Sequence, residues 1–340
     1  MTPLNRRRLA IFRSSRRGMI SLAVFGLLFF VSLFAELLAN NRPILIRYDG
    51  AFYSPMLRDY PETTFGGDFP TNAVYTDHEL QTLIHEKGGW ILWPPIPYSY
   101  DTVLKGDGRK ALLPPSWEHL LGTDDQARDV LARLIYGFRI SVLFGFALTL
   151  LSAVIGIIAG AVQGYFGGMV DLMMQRFLEI WSSMPTLYLL IILASFIQPG
   201  FWVLLGIMLL FSWMSLVGLV RAEFLRGRNF DYVRAARALG MLDVRIMFRH
   251  ILPNAMTASL TFLPFILAGS VTTLTSLDFL GFGLPVGSPS LGELLLQGKN
   301  NLNAPWLAFT GFFIIALMLS LLVFIGEAVR DAFNPRRVPT

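Results

Sequence analysis

Six stretches of about 20 residues are almost wholly apolar, the length at which a helix crosses a hydrocarbon core. They are Met19–Ala39, Ile140–Val162, Met173–Phe196, Phe201–Val220, Ala255–Thr275 and Trp306–Ile325. The first is longer than a signal-peptide core of about 7–15 residues, and no small-x-small cleavage site follows it cleanly, so it reads as a retained span. Arg176 and Glu179 interrupt the start of the third. Three apart on a helix, they either pair with each other or snorkel to the interface. Pro185 in the same stretch predicts a kink, because proline removes a backbone donor.

Between the first two spans, residues 40–128 are polar and rich in Pro, Gly, Asp and Tyr. At the end of this segment Thr123 and Gln126 have capping-box spacing, and Asp124 and Asp125 suit a helix N-terminus. Val130, Leu131, Leu134, Ile135 and Phe138 then recur on one helical face. This predicts an amphipathic helix before the second span, either lying on the outer membrane surface or packing under the polar segment. Within the second span Gly156, Gly160 and Gly164 repeat every four residues, a spacing that lets helix backbones approach closely.

The segment 221–253 is too polar to span and too patterned for a linker. Asp231 predicts an N-cap for a short helix, Tyr232 to Leu239, with Gly240 in the left-handed position that ends it. Ala235 and Ala236 would give that helix a small, flat surface. Asp243 predicts a second short helix, ended at Leu252-Pro253. Two short helices about a tight turn form a knob suited to receiving force from a soluble partner; the plainer reading is a basic loop.

Charge then orients the spans. Of the 340 residues 54% are hydrophobic and 15% charged, against about 25% charged in soluble domains. Six arginines precede the first span, seven lie in 221–250, and Arg330, Arg336 and Arg337 close the chain. The segment 40–128 has eight basic residues beside twelve acids, and 277–305 has only Lys299. Six spans with both termini in the cytoplasm place every basic segment inside. The net charge of +5 is then a topology signal facing an anionic leaflet, not a nucleic-acid footprint. Cysteine is absent, which excludes disulfides and thiolate metal sites.

The run Tyr232-Val-Arg-Ala-Ala-Arg-Ala-Leu-Gly240, then nine residues, then His250-Ile-Leu-Pro-Asn254, resembles the EAA loop of ABC importer permeases. Its fuller form resembles the dipeptide/oligopeptide/nickel branch. Leu121-Gly-Thr-Asp-Asp125 with Arg128-Asp-Val130, Gly164-Tyr-Phe-Gly-Gly168 with Asp171, and Leu280-Gly-Phe-Gly-Leu-Pro285 extend the resemblance over about 120–335. Where the family often has Glu, this chain has Arg234, which sets aside a salt bridge from that position but not the loop. The long insert, roughly 40–115, with Trp93-Pro-Pro-Ile-Pro-Tyr98, resembles the subgroup that imports oligopeptides and the peptide-nucleotide antibiotic microcin C.

The resemblance implies an all-α membrane protein with six transmembrane helices, the type I ABC importer permease (MetI-like) fold, and a sizeable periplasmic insert. Residues 1–18 would be a cytoplasmic N-terminus, 19–39 the first span, and 40–136 the insert with its interfacial helix. Residues 137–335 would be the permease core, with the EAA loop at 221–253. The implied function is the permease subunit of an ATP-driven importer moving peptides, oligopeptides or microcin C among them, across the bacterial inner membrane into the cytoplasm. It implies a second homologous permease subunit, ATPase subunits that bind ATP and Mg, and a periplasmic solute-binding protein facing outer loops such as Phe279–Pro289. The chain itself would be non-catalytic and hold no cofactor. Tyr232, Ala235, Ala236, Leu239, Gly240 and Met241 would form the ATPase-coupling helix, and His250, Leu252 and Pro253 the end of the loop.

The residues are consistent with that division of labour. The nearest phosphate-loop lookalike, Gly292-Glu-Leu-Leu-Leu-Gln-Gly-Lys-Asn300, has one spacer too many and Asn in place of Ser/Thr. His78 and His85, seven apart, raise a metal or nickel option, though surface histidines are commoner. An ion-coupled secondary transporter would want buried charges or an inverted repeat, and neither is evident. A membrane-anchored outer scaffold built on 40–128 is the third alternative.

Overall fold

The structure is a computed structural model describing residues 3–104, 111–197 and 200–334. Arg336 and Arg337 lie outside the described residues. The helices are α1 (Pro3–Ser14), α2 (Arg16–Leu33), α3 (Ala35–Leu38), α4 (His78–Glu86), α5 (Val130–Phe166), α6 (Gly168–Ser183) and α7 (Thr186–Phe196). They continue with α8 (Phe201–Ser212), α9 (Met214–Gly227), α10 (Asp231–Ala238), α11 (Asp243–Ile246), α12 (Leu252–Phe279), α13 (Leu291–Asn300) and α14 (Pro305–Phe333). Three short strands, β1 (Leu45–Tyr48), β2 (Ala51–Tyr53) and β3 (Trp90–Leu92), lie between α3 and α5.

Among the described residues, α2, α5, the run Asp243–Phe279 and α14 are each long and apolar enough to cross a membrane. Two bent pairs, α6 with α7 at 73° and α8 with α9 at 40°, complete six when each is one span. The expected kink at Pro185 is a full break. Met184 is extended, as a residue before proline must tend to be, and α7 restarts after it. At the second break the indoles of Trp181 and Trp213 donate to the Leu210 carbonyl, at 3.1 and 3.0 Å. They supply donors where the helix ladder is interrupted.

The chain divides into two compact units. One comprises Met1–Leu27, Ser141–Pro285 and Ile314–Thr340. Its core gathers Phe144, Leu148, Leu190, Leu204, Met208 and Leu274. The glycine repeat of α5 is used within the chain, against α9. A Cβ on Gly160 would lie 2.7 Å from the Val217 carbonyl oxygen and 2.8 Å from the Val220 Cβ. Only glycine permits that backbone approach.

The second unit comprises Leu28–Ile140 and Val286–Phe313. Here the helical protein carries a small antiparallel sheet of order β2-β1-β3. Asp49 and Gly50 join β1 to β2 at φ 47° and 74°, the both-positive geometry of a type I′ hairpin for which Asp-Gly is well suited. One face of the sheet buries Ile46 and Tyr48 against Phe65, Tyr75, Leu80 and Ile84. Asp77 caps α4 by accepting the Glu79 N–H at 3.2 Å.

The segment expected to form a separate amphipathic helix before the second span does not do so. Val130 to Tyr136 are the first two turns of α5, which at 37 residues extends about 55 Å. Ala132 and Tyr136 are buried against Ala35 and Ala39, and the Tyr136 hydroxyl donates to the Ala39 carbonyl at 2.9 Å. Thr123 is no helix cap either. Its hydroxyl donates to the Ala111 carbonyl, and Asp129 caps α5 by accepting the Ala132 N–H at 2.9 Å. Local spacing favoured Thr123 because it cannot register tertiary partners.

Candidate coupling loop and ion-pair cluster

The loop after α9 is anchored by its apolar residues. Val233, Ala236, Ile246, Met247 and Ile251 are buried with Ala161, Tyr165, Val220 and Phe224. The opposite side of α10 and the residues after it are open. Tyr232, Ala235, Leu239 and Gly240 are exposed, and Met241 is half-buried. Leu239, Leu242, Val244 and Phe248 are 86%, 77%, 63% and 61% exposed. That is a large share of apolar surface to leave bare on a short arginine-rich loop.

Two expectations about this helix change. Ala236 is not part of a flat outward surface; it faces the core, and Ala235 alone is exposed. Asp231 is the first helical residue rather than the cap, with Phe230 at the cap position and no side-chain hydrogen bond there. The helix end is as expected. Gly240 has φ 76°, its N–H donates to the Arg237 carbonyl at 3.0 Å, and the Met241 N–H donates to the Ala236 carbonyl at 3.1 Å. That is the full Schellman pattern, which satisfies two carbonyls the helix leaves free.

The second short helix does not end at Leu252-Pro253. From α11 the chain passes through a π-turn, Met247–Ile251, directly into α12, with Pro253 in the first turn. Proline has no N–H to give to the helical ladder, and it falls directly after the π-turn, where that ladder already departs from the regular i to i−4 pattern. His250 is half-buried within the π-turn, and Leu252 is half-buried beside it. The Tyr232 ring lies 6.3 Å from the His250 ring, and Asn254 Nδ2 donates to the Tyr232 hydroxyl at 3.3 Å. The loop is thus continuous with a span.

A second contact ties the loop to the C-terminal end of α5. The Tyr165 hydroxyl donates to Asp243, and the Arg237 guanidinium lies 5.3 Å over the Tyr165 ring. Arg228 donates to the Tyr165 carbonyl at 3.3 Å. The motif Gly164-Tyr-Phe-Gly-Gly168 therefore bends the chain between α5 and α6 while holding the loop through Tyr165. Gly167 and Gly168, at φ 63° and 52°, make that bend.

In the second unit the motif around Asp124 builds a buried cluster. Asp124 accepts the Gln126 and Arg128 N–H groups, each at 2.9 Å. Arg128 also reaches Asp124 Oδ2 through Nε at 2.7 Å, and Glu293 Oε1 through Nη2 at 3.1 Å. Arg133 donates to Glu293 Oε2 at 2.7 Å and to the Ser288 carbonyl at 3.0 Å. Burial alone would depress the Arg128 guanidinium. Hydrogen bonding to Asp124 and the charges of Asp124 and Glu293 outweigh it and raise the pKa above the ordinary arginine value. His119 Nδ1 meets Asp129 Oδ2 at 2.9 Å, both side chains buried. Glu293 was not singled out in the sequence, where it is one acid in the lookalike Gly292–Asn300; only the fold brings it to the two arginines.

Arg176 and Glu179 pair with each other at 2.6 Å with both side chains exposed, the first of the two readings of that site. Among the described residues no group of three or more His, Cys, Asp or Glu is placed to hold a metal ion. His78 and His85 lie on α4, where the His78 ring meets the Thr82 hydroxyl and the His85 ring meets the Gly89 carbonyl.

Residues 130–339 match the family described as "binding-protein-dependent transport system inner membrane component". The inner membrane ABC transporter permease protein YejE of Escherichia coli K12 is 60% identical, over 99% of this chain and 98% of that protein. The peptidoglycan transport system permease protein YejE of Agrobacterium fabrum is 58% identical, over 99% of this chain and 94% of that one. The oligopeptide transport system permease protein OppC of Lactococcus lactis is 38% identical, over 66% of this chain and 78% of its own length. A chain of the MetNI methionine ABC transporter, solved in inward-facing conformations, aligns at TM-score 0.47 and 17% identity, over 59% of this chain and 96% of that one.

Proposed function

The chain belongs to the family of inner-membrane components of binding-protein-dependent transport systems, and we propose that it is the non-catalytic permease subunit of a peptide importer in which α10 is the coupling helix. The observation that carries this is the loop itself. Leu239, Leu242, Val244 and Phe248 are bared on one side, while Val233, Ala236 and Ile246 are buried among residues of α5 and α9 on the other. A rigid apolar knob continuous with α12 transmits a push to a span without first unfolding. An ATPase seated on it, closing on ATP, would rock the spans between inward-open and outward-open states.

In this reading ATP and Mg belong to the ATPase subunits, a second homologous permease completes the pathway, and both termini are cytoplasmic. Relatives named for oligopeptide and peptidoglycan transport support peptides, including peptide-bearing wall fragments, as the cargo, with microcin C a further cargo to try. A cavity of about 410 Å³ in the first unit, with Leu148, Met208, Phe211, Ser212, Phe265 and Ser270 in its wall, is this chain's share of the pathway.

The test is reconstitution in proteoliposomes with the second permease, the ATPase and the solute-binding protein, following uptake of a labelled peptide. ATP-dependent uptake requiring all components is expected. Uptake by this chain alone, driven by an ion gradient without the ATPase, would overturn the reading in favour of a secondary transporter.

A further inference from the structure

The sheet of the second unit has an unused face. Strand pairing puts Arg47 directly opposite both Phe52 and Trp90, and Leu45 opposite Leu92. Directly paired residues share a face, and residues two apart along a strand share it too. Ile46, Tyr48, Tyr53 and Ile91 turn to the core, so Leu45, Arg47, Phe52, Trp90 and Leu92 turn away from it. Phe52 is 63% exposed and Trp90 39%. Their rings approach edge-on at 6.3 Å across the middle strand. Arg47 is exposed and makes no ion pair among the described residues. The sheet lies outside the 130–339 family match.

We propose that this face docks the solute-binding protein of the importer, on an apolar patch of that protein carrying a carboxylate for Arg47. The inference rests on the proposed function, which places residues 40–128 outside the cytoplasm. Three observations select this occupant. The outward face of a three-stranded sheet is not the concave pocket that grips a small cargo. Aromatic residues and arginine around a desolvated centre are the composition of protein–protein hot spots. The segment 40–128 carries twelve acids against eight basic residues, so anionic lipid headgroups are repelled, and a single unpaired cation on its apolar face complements a specific acid.

The experiment uses the assembled transporter in nanodiscs, titrated with the purified solute-binding protein. Arg47→Glu and the double variant Phe52→Ser/Trp90→Ser change only residues on the outward face of the sheet. Each is expected to weaken binding-protein affinity by about tenfold or more, with co-purification of the second permease and basal ATP hydrolysis unchanged. An acid-to-Lys change on the binding protein should restore affinity to Arg47→Glu. Unchanged affinity in both variants would overturn the proposal. So would loss of the second permease, which would assign the face to the permease pair, or loss of peptide binding to transporter lacking the binding protein, which would assign it to cargo. If wild-type transporter shows no stimulation of ATP hydrolysis by the binding protein, the proposed function fails instead.

Discussion

Arg221 holds Asp171 as a fork, Nε to Oδ1 at 2.5 Å and Nη2 to Oδ2 at 2.7 Å. The pair joins the first turn of α6 to α9 just where Gly164 lets α9 come close to α5. Asp171 also sits at a helix N-terminus, where a carboxylate is favoured. Three parts of one short motif thus serve one corner: Gly164 for approach, Gly167 and Gly168 for the bend, and Asp171 for the clamp.

Replacing Asp171 with Asn removes the charge from a partly buried bidentate pair. A hydrogen bond to a charged group contributes about 1.5–3 kcal/mol, and partial exposure places this one toward the lower end. A lowered melting temperature of the purified complex is expected, recovered in part by Arg221→Gln in the same chain. Independent, additive losses from the two changes would show that the pair is not coupled.

Gly240→Val should uncouple transport. The left-handed backbone costs a non-glycine residue about 1–2 kcal/mol, and more when it is β-branched. A Cβ there meets nothing within 4 Å, so the defect comes from the backbone and not from crowding. Gly240→Asn, which tolerates the left-handed region, should retain much of the activity. The measurement is peptide uptake per ATP hydrolysed; equal ratios in Gly240→Val and wild type would refute the coupling assignment.

Ala235→Glu and Ala236→Glu should fail differently, although the residues are neighbours. Ala235 is exposed, so its variant is expected to fold and lose co-purification with the ATPase. Ala236 is buried against the α5–α9 core, so its variant places an unpaired carboxylate there and should accumulate poorly even without ATPase. Quantitative co-purification beside membrane abundance separates the two.

Glu293→Gln leaves the buried Arg128 and Arg133 to share Asp124. Breaking a buried pair by removing one partner typically costs about 3–5 kcal/mol. The expected outcome is a second unit that is cut readily by added protease while the first unit stays resistant. Wild-type resistance throughout would mean that the cluster is not what holds α13 to the start of α5.

Gly160→Leu should prevent α9 from packing on α5, because even a Cβ would sit inside contact distance of the Val217 carbonyl. Loss of the folded chain from membranes is expected, with Gly160→Ala milder. Normal abundance and normal melting of the leucine variant would contradict the packing described.

Much of this protein was written in local order. Apolar runs of spanning length marked the membrane helices, since hydrophobicity alone decides what lipid accepts. The α10 turn was legible because Gly240 answers a backbone requirement two residues wide, and the glycine repeat was legible because helical spacing alone puts its members on one face. The break at Pro185 was foreshadowed by proline chemistry, though not its size. The hairpin at Asp49-Gly50 carried a signal that the polarity of the insert obscured. What the tertiary structure alone decided were the partners. Thr123 looked like a helix cap until Ala111 supplied its acceptor, Ala236 looked like surface until α5 and α9 closed over it, and Glu293 was one acid among many until Arg128 and Arg133 met it from 165 and 160 residues away. Charge and cap signals are read from a residue and its near neighbours, but the free energy of a buried polar group is set by whatever the fold brings beside it.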